Sequence, residues 1–510
     1  MADPVAAAPA SSFWLFGGEL LQRLDDSWSA TRADLRIESG VVAEIVPGGS
    51  AAPRSAHDID AGGMLVLPGL INAHLHSNDN LLRGRVERAP LELYMLQAVP
   101  VGGLAELLTD DEIQARTLLG AVEAIKTGTT SVLDDCYHLD YVRPEAIEAV
   151  LAAYRTVGLR AHVTANLADR AMTDTVPFVR EYLPVALIKA LSASDGPSPA
   201  EALALCSRYA EQAGRSGLVR FAMAASGPQR CTDEYLQAIH ATAVAHGVPF
   251  VTHVLETRSQ ALTGEIFYGE TLISHMARLG VLSPATVIAH GIWVTDADID
   301  LIGQSGATVV HNPSSNLRLG SGVAPIRSYL SRGVPIALGT DGISTNDAQN
   351  MFLEIRLAAS LHNIKGLPRE SWVSAAEALD MATAGGARAL GRSTELGQIS
   401  VGYRADLALL DRHSTAFTPL SDPARNVAFS EYGQSVHTVI VDGKVVMRDR
   451  RLTLVNEDEV YDRAGDAAAS FLGRNEAAFG RVAELLPAFE RAQRRLDAMP
   501  LAIQRWVPGE

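Results

Sequence analysis

The chain has 510 residues, 47% of them hydrophobic, and a formal net charge of −16. That length is ample for a large core with an accessory domain. So acidic a surface repels phosphate backbones and argues against a nucleic-acid binder, and no stretch approaches the roughly 20 consecutive apolar residues that would span a bilayer.

Only four of the 43 basic residues are lysine, which reads as a coding bias toward arginine rather than a binding surface. Cys136, Cys206 and Cys231 show no paired spacing, as in a reduced, cytoplasmic protein. The opening "MADPVAAAPASSFWLF" starts acidic and lacks a long apolar run, so it makes a poor signal peptide.

From about Ser12 to Asp60, alternating apolar residues broken by glycine pairs predict a small antiparallel sheet. The same texture returns in "GYRADLALLDR" and "VHTVIVDGKVVMRD", where "VDGK" is a hairpin turn. Residues 1–67 and 396–455 are therefore expected to form one small β domain, a β-sandwich, with the rest inserted between them. Between 68 and 395, short buried-strand candidates recur: "MLVLPGLINAHLH", "TSVLDDCYH", "LRAHVTANL", "LVRFAMAAS", "VPFVTHVLE", "ATVIAHGIWV", "ATVVHNPSS" and "VPIALGTDG". Most of the gaps read as amphipathic helices, "DDEIQARTLLGAVEAIKTG" among them. This is an α/β pattern, and eight β-then-α units predict a (β/α)₈ TIM-type barrel. An open doubly wound sheet is the runner-up, without a glycine fingerprint to support it. Residues 456–510 read as a helical extension that packs on the barrel or on a partner subunit.

"PGLINAHLH" puts His74 and His76 two apart on a strand, hence on one face. Two imidazoles at the C-terminal end of a first barrel strand suit a metal ion. Alone, the pair is a weak signal and reads more readily as core or rim histidines bonded to backbone carbonyls. Three further strand ends decide it. "VPFVTHVLET" ends with His253 and sets Glu256 three residues on, "TVIAHG" ends with His290, and "VPIALGTDG" ends with Asp341. Packing does not explain four strand ends equipped alike, and aspartate is rarely buried unpaired.

These motifs resemble the amidohydrolase superfamily. The resemblance runs from about residue 15 to 455 through "HNPSSNLRLGSGVAPI", "MATAGGARALG" and "LGQISVGYRADLALLD". Within the superfamily it is to the deaminase and chlorohydrolase branch, which holds S-adenosylhomocysteine deaminases, guanine and cytosine deaminases and s-triazine hydrolases. The resemblance implies that His74, His76, His253 and Asp341 are metal ligands, Glu256 a proton shuttle, and His290 the residue that orients or polarises the attacking water. Dinuclear relatives carry a bridging lysine after the fourth strand. Here "FAMAASGPQRCT" has none, and Lys189 lies well upstream. One divalent ion is expected, Zn²⁺ before Fe²⁺, both of which suit a His₃Asp set.

Such an ion lowers the pKa of water toward roughly 7. Hydroxide then attacks an electrophilic carbon, Asp341 takes the released proton, Glu256 donates to a ring nitrogen or leaving group, and His290 stabilises the tetrahedral intermediate. The expected reaction is hydrolytic deamination of an N-heterocycle. Hydrolysis of a C–Cl, amide or urea-type bond is the alternative, and a catalytically silent scaffold a third. Glu256 also has a plain reading, a carboxylate at a helix start. Tyr94 and Gln97 in the first loop, Gln229 after strand four, His311 after strand seven and Asn316 in "PSSN" are candidate substrate contacts, Asn316 having a role in support of the site or a plain turn role as its alternatives, with His138 a further pocket-lining candidate. His162, His240, His246, His275 and His362 read as core or surface. Near relatives of the adenosine type carry a histidine in a "P-H-A" context where this chain has Pro228-Gln229-Arg230. Adenosine and S-adenosylhomocysteine are accordingly expected to be poor substrates. There is no H-E-x-x-H, G-x-S-x-G or P-loop, and no P-C-x-x-C of the other zinc deaminases. The partner expected is a small molecule, within a homo-oligomer, a dimer or tetramer.

Overall fold

The computed structural model describes residues 12–507 apart from 25–26, 51–54, 56, 99–105, 138–141, 186, 189–195 and 213–216. Two sheets organise the chain. The first takes β1 (Ser12–Leu24), β2 (Ser27–Glu38), β3 (Val41–Pro47), β4 (Ile59–Asp60) and β5 (Met64–Pro68) from its beginning. The parallel sheet then follows with β6 (Leu70–His76), β7 (Thr129–Cys136), β8 (Arg160–Leu167), β9 (Val219–Phe221), β10 (Met223–Ala225), β11 (Phe250–Val254), β12 (Thr286–His290), β13 (Thr308–His311), β14 (Ile336–Leu338) and β15 (Asp341–Gly342). The last strands, β16 (Leu407–Asp411), β17 (Val436–Val441), β18 (Lys444–Arg448) and β19 (Arg451–Leu452), return to the first sheet.

In the parallel sheet the order is β14-β13-β12-β11-β10-β8-β7-β6-β15, with β9 beside β8. Its two margins, β14 and β15, are separated in the chain only by Gly339 and Thr340. The sheet therefore curls until segments two residues apart occupy both margins, a TIM-like arrangement. Helices such as Asp110–Lys126, Pro144–Val157 and Asp233–His246 alternate with the strands. Inside, Ile71, Ala73, Leu133, Ala224, Val251, Val287, Val310 and Ala337 form one cluster with Ala387, Leu390 and Leu396. The small side chains among them suit a narrow interior.

The expected union of the two chain ends is present, since β16 pairs antiparallel with β5. The hydrogen bonding runs through all nine strands as one sheet, ordered β19-β18-β17-β16-β5-β1-β2-β3 with β4 on β1. "MLVLPGLINAHLH", read from sequence as one strand, is two. β5 belongs to the first sheet and β6 to the parallel one. Pro68 has no amide to donate, and a Cβ on Gly69 would lie 2.1 Å from Thr130 Oγ1, so the crossing point requires glycine. A buried arginine joins the sheets. Arg160, on β8, forks onto both oxygens of Asp406 at 2.7 and 3.0 Å and reaches Asp442 at 2.9 Å. Removing one partner from such a pair typically costs about 3–5 kcal/mol.

The C-terminal helices Glu457–Arg474 and Val482–Asp497 pack on this chain itself. Arg474 holds Glu112 through two 2.8 Å hydrogen bonds. Among the described residues no helix is long and apolar enough to cross a membrane. Cys136, Cys206 and Cys231 are all buried and free.

Candidate metal centre and active site

All seven residues of β6 are buried. The i, i+2 spacing places the rings of His74 and His76 4.7 Å apart. β15 pairs with β6 so that Asp341 stands opposite Leu75, and β11 pairs with β12 so that Val254 stands opposite His290. Four strand ends thus converge. His76 Nε2 lies 3.2 Å and His74 Nε2 3.6 Å from Asp341 Oδ1. His290 Nε2 lies 3.7 Å from Asp341 Oδ2 and 3.6 Å from Glu256 Oε2. Leu255, His290 and Asp341 have φ of 53°, 73° and 62°. That left-handed backbone is uncommon outside glycine and persists only where surrounding structure enforces it.

The hydrogen bonds behind the rings fix their tautomers. His76 Nδ1 donates to Asp135 O at 2.5 Å and His253 Nδ1 to Ser226 O at 3.0 Å. Both Nε2 atoms are then bare in the neutral rings, yet they face each other at 3.2 Å. Two lone pairs so close need a cation or a proton between them. His74 is wholly buried with neither ring nitrogen hydrogen-bonded. An orphaned imidazole beside bare nitrogens and a carboxylate is the donor set a divalent ion takes, and the backbone carbonyls behind His76 and His253 are the outer support such ligands use. The residues fit a metal. His74, His76, His253 and Asp341 could hold it, and each belongs to a group whose ligand atoms lie within 4.8 Å of one another.

Burial and the neighbouring carboxylates act differently on each ring. Burial pushes His74 and His253 down to about 3, with the neighbouring His76 adding to the effect in each. Burial also opposes charge on His76, but Asp341, Asp135 and Asp79 outweigh it and push that ring up to about 10. Burial resists ionisation of Asp341, yet its contacts with His74 and His76 hold it well below the carboxylate range. For Glu256 burial dominates, and the charges of Asp341 and Glu92 add to it, so its carboxyl lies well above the usual range. That environment favours the neutral carboxyl, and Oε1 of Glu256 is buried and unpartnered.

Not every candidate contact faces the centre. Asn316 Oδ1 accepts from His290 Nδ1 at 3.0 Å. It sits behind His290 and leaves Nε2 of that ring bare toward Glu256. The Tyr94 hydroxyl meets Asp79 at 3.0 Å and Ser344 at 2.5 Å, tying the first loop to the loop after Asp341. Gln97 is half-buried on the same helix, Leu91–Ala98. Gln229 is buried in the single turn after β10, its Oε1 unpartnered. His311 is wholly buried with both nitrogens unpartnered, its ring 5.4 Å from that of His362. His138 and Lys189 lie outside the described residues.

Four supporting residues were not read from sequence. Asp135 accepts from Thr164 at 2.6 Å and Asn166 at 2.8 Å and lies 3.7 Å from His253 Nδ1. Ser315 donates to Asp341 Oδ2 at 2.6 Å. Asp79 accepts from the Ile343 amide at 3.1 Å, and the buried Ser321 hydroxyl lies beside Glu256. Only Asp135 had a local signal, the acidic pair inside the apolar run "TSVLDDC".

Residues 65–446 match the model of the amidohydrolase family. The chain belongs to that family. This amidohydrolase is 33% identical over 429 residues to a 5-methylthioadenosine/S-adenosylhomocysteine deaminase of Syntrophobacter fumaroxidans, a match covering 84% of this chain and 91% of that protein. It is 31% identical over 458 residues to a 5'-deoxyadenosine deaminase of Methanosarcina mazei, covering 88% and 96% respectively. Among solved structures, an adenosine deaminase from Xanthomonas campestris with bound zinc superposes with a TM-score of 0.79 at 25% identity, over 90% of this chain and 98% of that one. An atrazine chlorohydrolase from Arthrobacter aurescens complexed with zinc gives 0.79 at 25% identity, over 89% and 100%. The amidohydrolase is a metal-dependent hydrolase of carbon–nitrogen bonds other than peptide bonds.

Proposed function

We propose that the protein removes an amino group hydrolytically from an N-heterocycle, with one divalent ion, zinc before ferrous iron, held by His74, His76, His253 and Asp341. The observation that carries this is the facing pair of bare nitrogens on His76 and His253, 3.2 Å apart beside an orphaned His74. When bound, the ion supplies the positive charge that acidifies a water molecule and polarises the substrate. The chain's own groups do the rest. Glu256, kept neutral by burial, donates its proton to the ring nitrogen or the departing amine, and the Asp341 carboxylate accepts the proton the water gives up. His290, aligned by Asn316, holds the attacking oxygen through Nε2. A closed (β/α)₈ barrel over residues 68–395, a small sandwich-like β domain from 1–67 and 396–455, and a C-terminal extension complete the reading, as does a cytoplasmic homo-oligomer.

One tightly held ion per chain is expected on elemental analysis of active protein, because β10 ends at Ala225, followed by Ser226, with no lysine to bridge a second. Two stoichiometric ions would overturn the mononuclear reading.

The relatives named for adenosine derivatives make purine nucleosides the first class to assay for ammonia release, beside pterins, pyrimidines and triazines. Gln229 is the position that sets this chain apart. Its buried, unpartnered Oε1 offers an acceptor where the adenosine-type pattern has an imidazole. Adenosine and S-adenosylhomocysteine should fall short of a kcat/KM of about 10⁴ M⁻¹s⁻¹, the lower edge of ordinary enzyme efficiency, and Gln229→His should raise both. Efficient turnover of either by the unaltered protein would remove this role from Gln229.

A further inference from the structure

The C-terminal extension laces together the loops that carry the reacting groups. Arg258, two residues past Glu256, donates from both terminal nitrogens to the carbonyls of Leu496 and Met499 at the end of the helix Val482–Asp497. Ser259 meets Gln493 at 3.1 Å. The chain then crosses to the next loop. Arg505 Nε donates to Ile292 O at 2.9 Å and Nη2 to Val294 O at 2.6 Å, just past His290. The same segment reaches the loop after β13, where the Val323 amide donates to Arg505 O at 2.9 Å and Trp506 Nε1 to Gly320 O at 2.8 Å. Those two bonds bracket Ser321, which lies beside Glu256. The circuit closes internally, because the amides of Ile292 and Trp293 donate to Leu255 O at 3.0 and 2.8 Å. Leu255 directly precedes Glu256.

We propose that Arg505 and Arg258 are positioning residues, and that residues 496–506 form a strap fixing the spacing of Glu256 and His290. The inference rests on the roles given to those two residues above. Neither arginine touches the reacting groups. Each acts through the backbone that presents them, and Gly322 marks how tightly the strap seats, since a Cβ there would lie 3.1 Å from Arg505 Cβ. The strap also carries its own reporter. Trp506 meets the buried Trp293 edge to face, with centroids 5.1 Å apart and planes at 80°.

The test compares full-length, metal-loaded Arg505→Met, Arg505→Lys and Trp506→Phe with Glu256→Gln and with Arg494→Ala, a surface control on the same extension. Steady-state kinetics on the best substrate of the panel, metal content and near-ultraviolet circular dichroism of the tryptophan pair are read together. Arg505→Met should lower kcat by about 10- to 100-fold, the effect of a misplaced reacting group, while KM and metal content hold and the tryptophan signal is lost. Arg505→Lys should fall between, since an ammonium lacks the fork that spans two carbonyls. Trp506→Phe should show a smaller loss, and it serves if Arg505→Met does not fold. Arg494→Ala should match the unaltered enzyme. Loss of the tryptophan signal with kcat unchanged would overturn the strap's role, as would a change confined to KM or loss of the metal. If Glu256→Gln is inactive while Arg505→Met is normal, the strap proposal alone fails. If Glu256→Gln turns over normally, the reading of the site fails first and takes the strap's role with it.

Discussion

Glu256→Gln is expected to keep its metal and still bind substrate, with turnover reduced by the roughly 10²–10⁴-fold that accompanies loss of a general acid–base group. The amide preserves the shape and hydrogen-bonding reach of the carboxyl but carries no transferable proton. Glu256 shares a cluster with His290 and Asp341, ligand atoms within 4.8 Å of one another, so metal analysis decides between proton donor and ligand. Its Oε2 lies 3.6 Å from His290 Nε2, and its other oxygen is buried without a partner. Single-turnover kinetics, metal analysis and substrate titration distinguish the outcomes. Loss of the ion would make Glu256 a ligand. Near-normal turnover would move the proton transfer to His290 and return Glu256 to a carboxylate beside a helix start.

His74→Ala and Asp341→Ala should lose the ion and the activity together. His74 makes no hydrogen bond from either nitrogen in a fully buried site, so a metal bond is the interaction its environment leaves open. Asp341 lies within 3.7 Å of three imidazoles and has a φ of 62°. Added zinc should raise the melting temperature of the unaltered protein, because a ligand at 100 times its Kd stabilises the folded state by about 2.7 kcal/mol. It should leave both variants unmoved. An Asp341→Ala protein that retains its ion but not its turnover would confine Asp341 to accepting a proton.

The centre was legible because its residues obey local rules. A two-residue period puts His74 and His76 on one face, and the C-terminal ends of barrel strands are where such a fold gathers its site. What failed to show in sequence depends on paths through space. Asn316 sits behind His290 because it lies on the short helix Pro313–Arg318 that follows β13. Tyr94 is engaged by Asp79 and Ser344, whose positions follow from β15 pairing with β6. Splitting one apolar run at Gly69 answers to the approach of Thr130, on another strand. The helical extension was visible as helix, but composition says nothing of where it lies. Two chain-end segments sharing a sheet could be read from their matching texture, whereas the continuous nine-strand pairing depends on how the strands stack side by side.

The margin where β15 meets β6 has a temporal side. Asp341 stands opposite Leu75, between the two histidines of the first strand. During synthesis, which proceeds from the N-terminus, the ribosome must deliver nearly the whole parallel sheet before that pairing can form. Until then the nascent chain holds its imidazoles without their carboxylate. β5 likewise waits for β16, and its unpaired edge is a template for wrong partners in the interval. Completion of the parallel sheet and assembly of the cluster around Asp341 thus come late in synthesis, as one event.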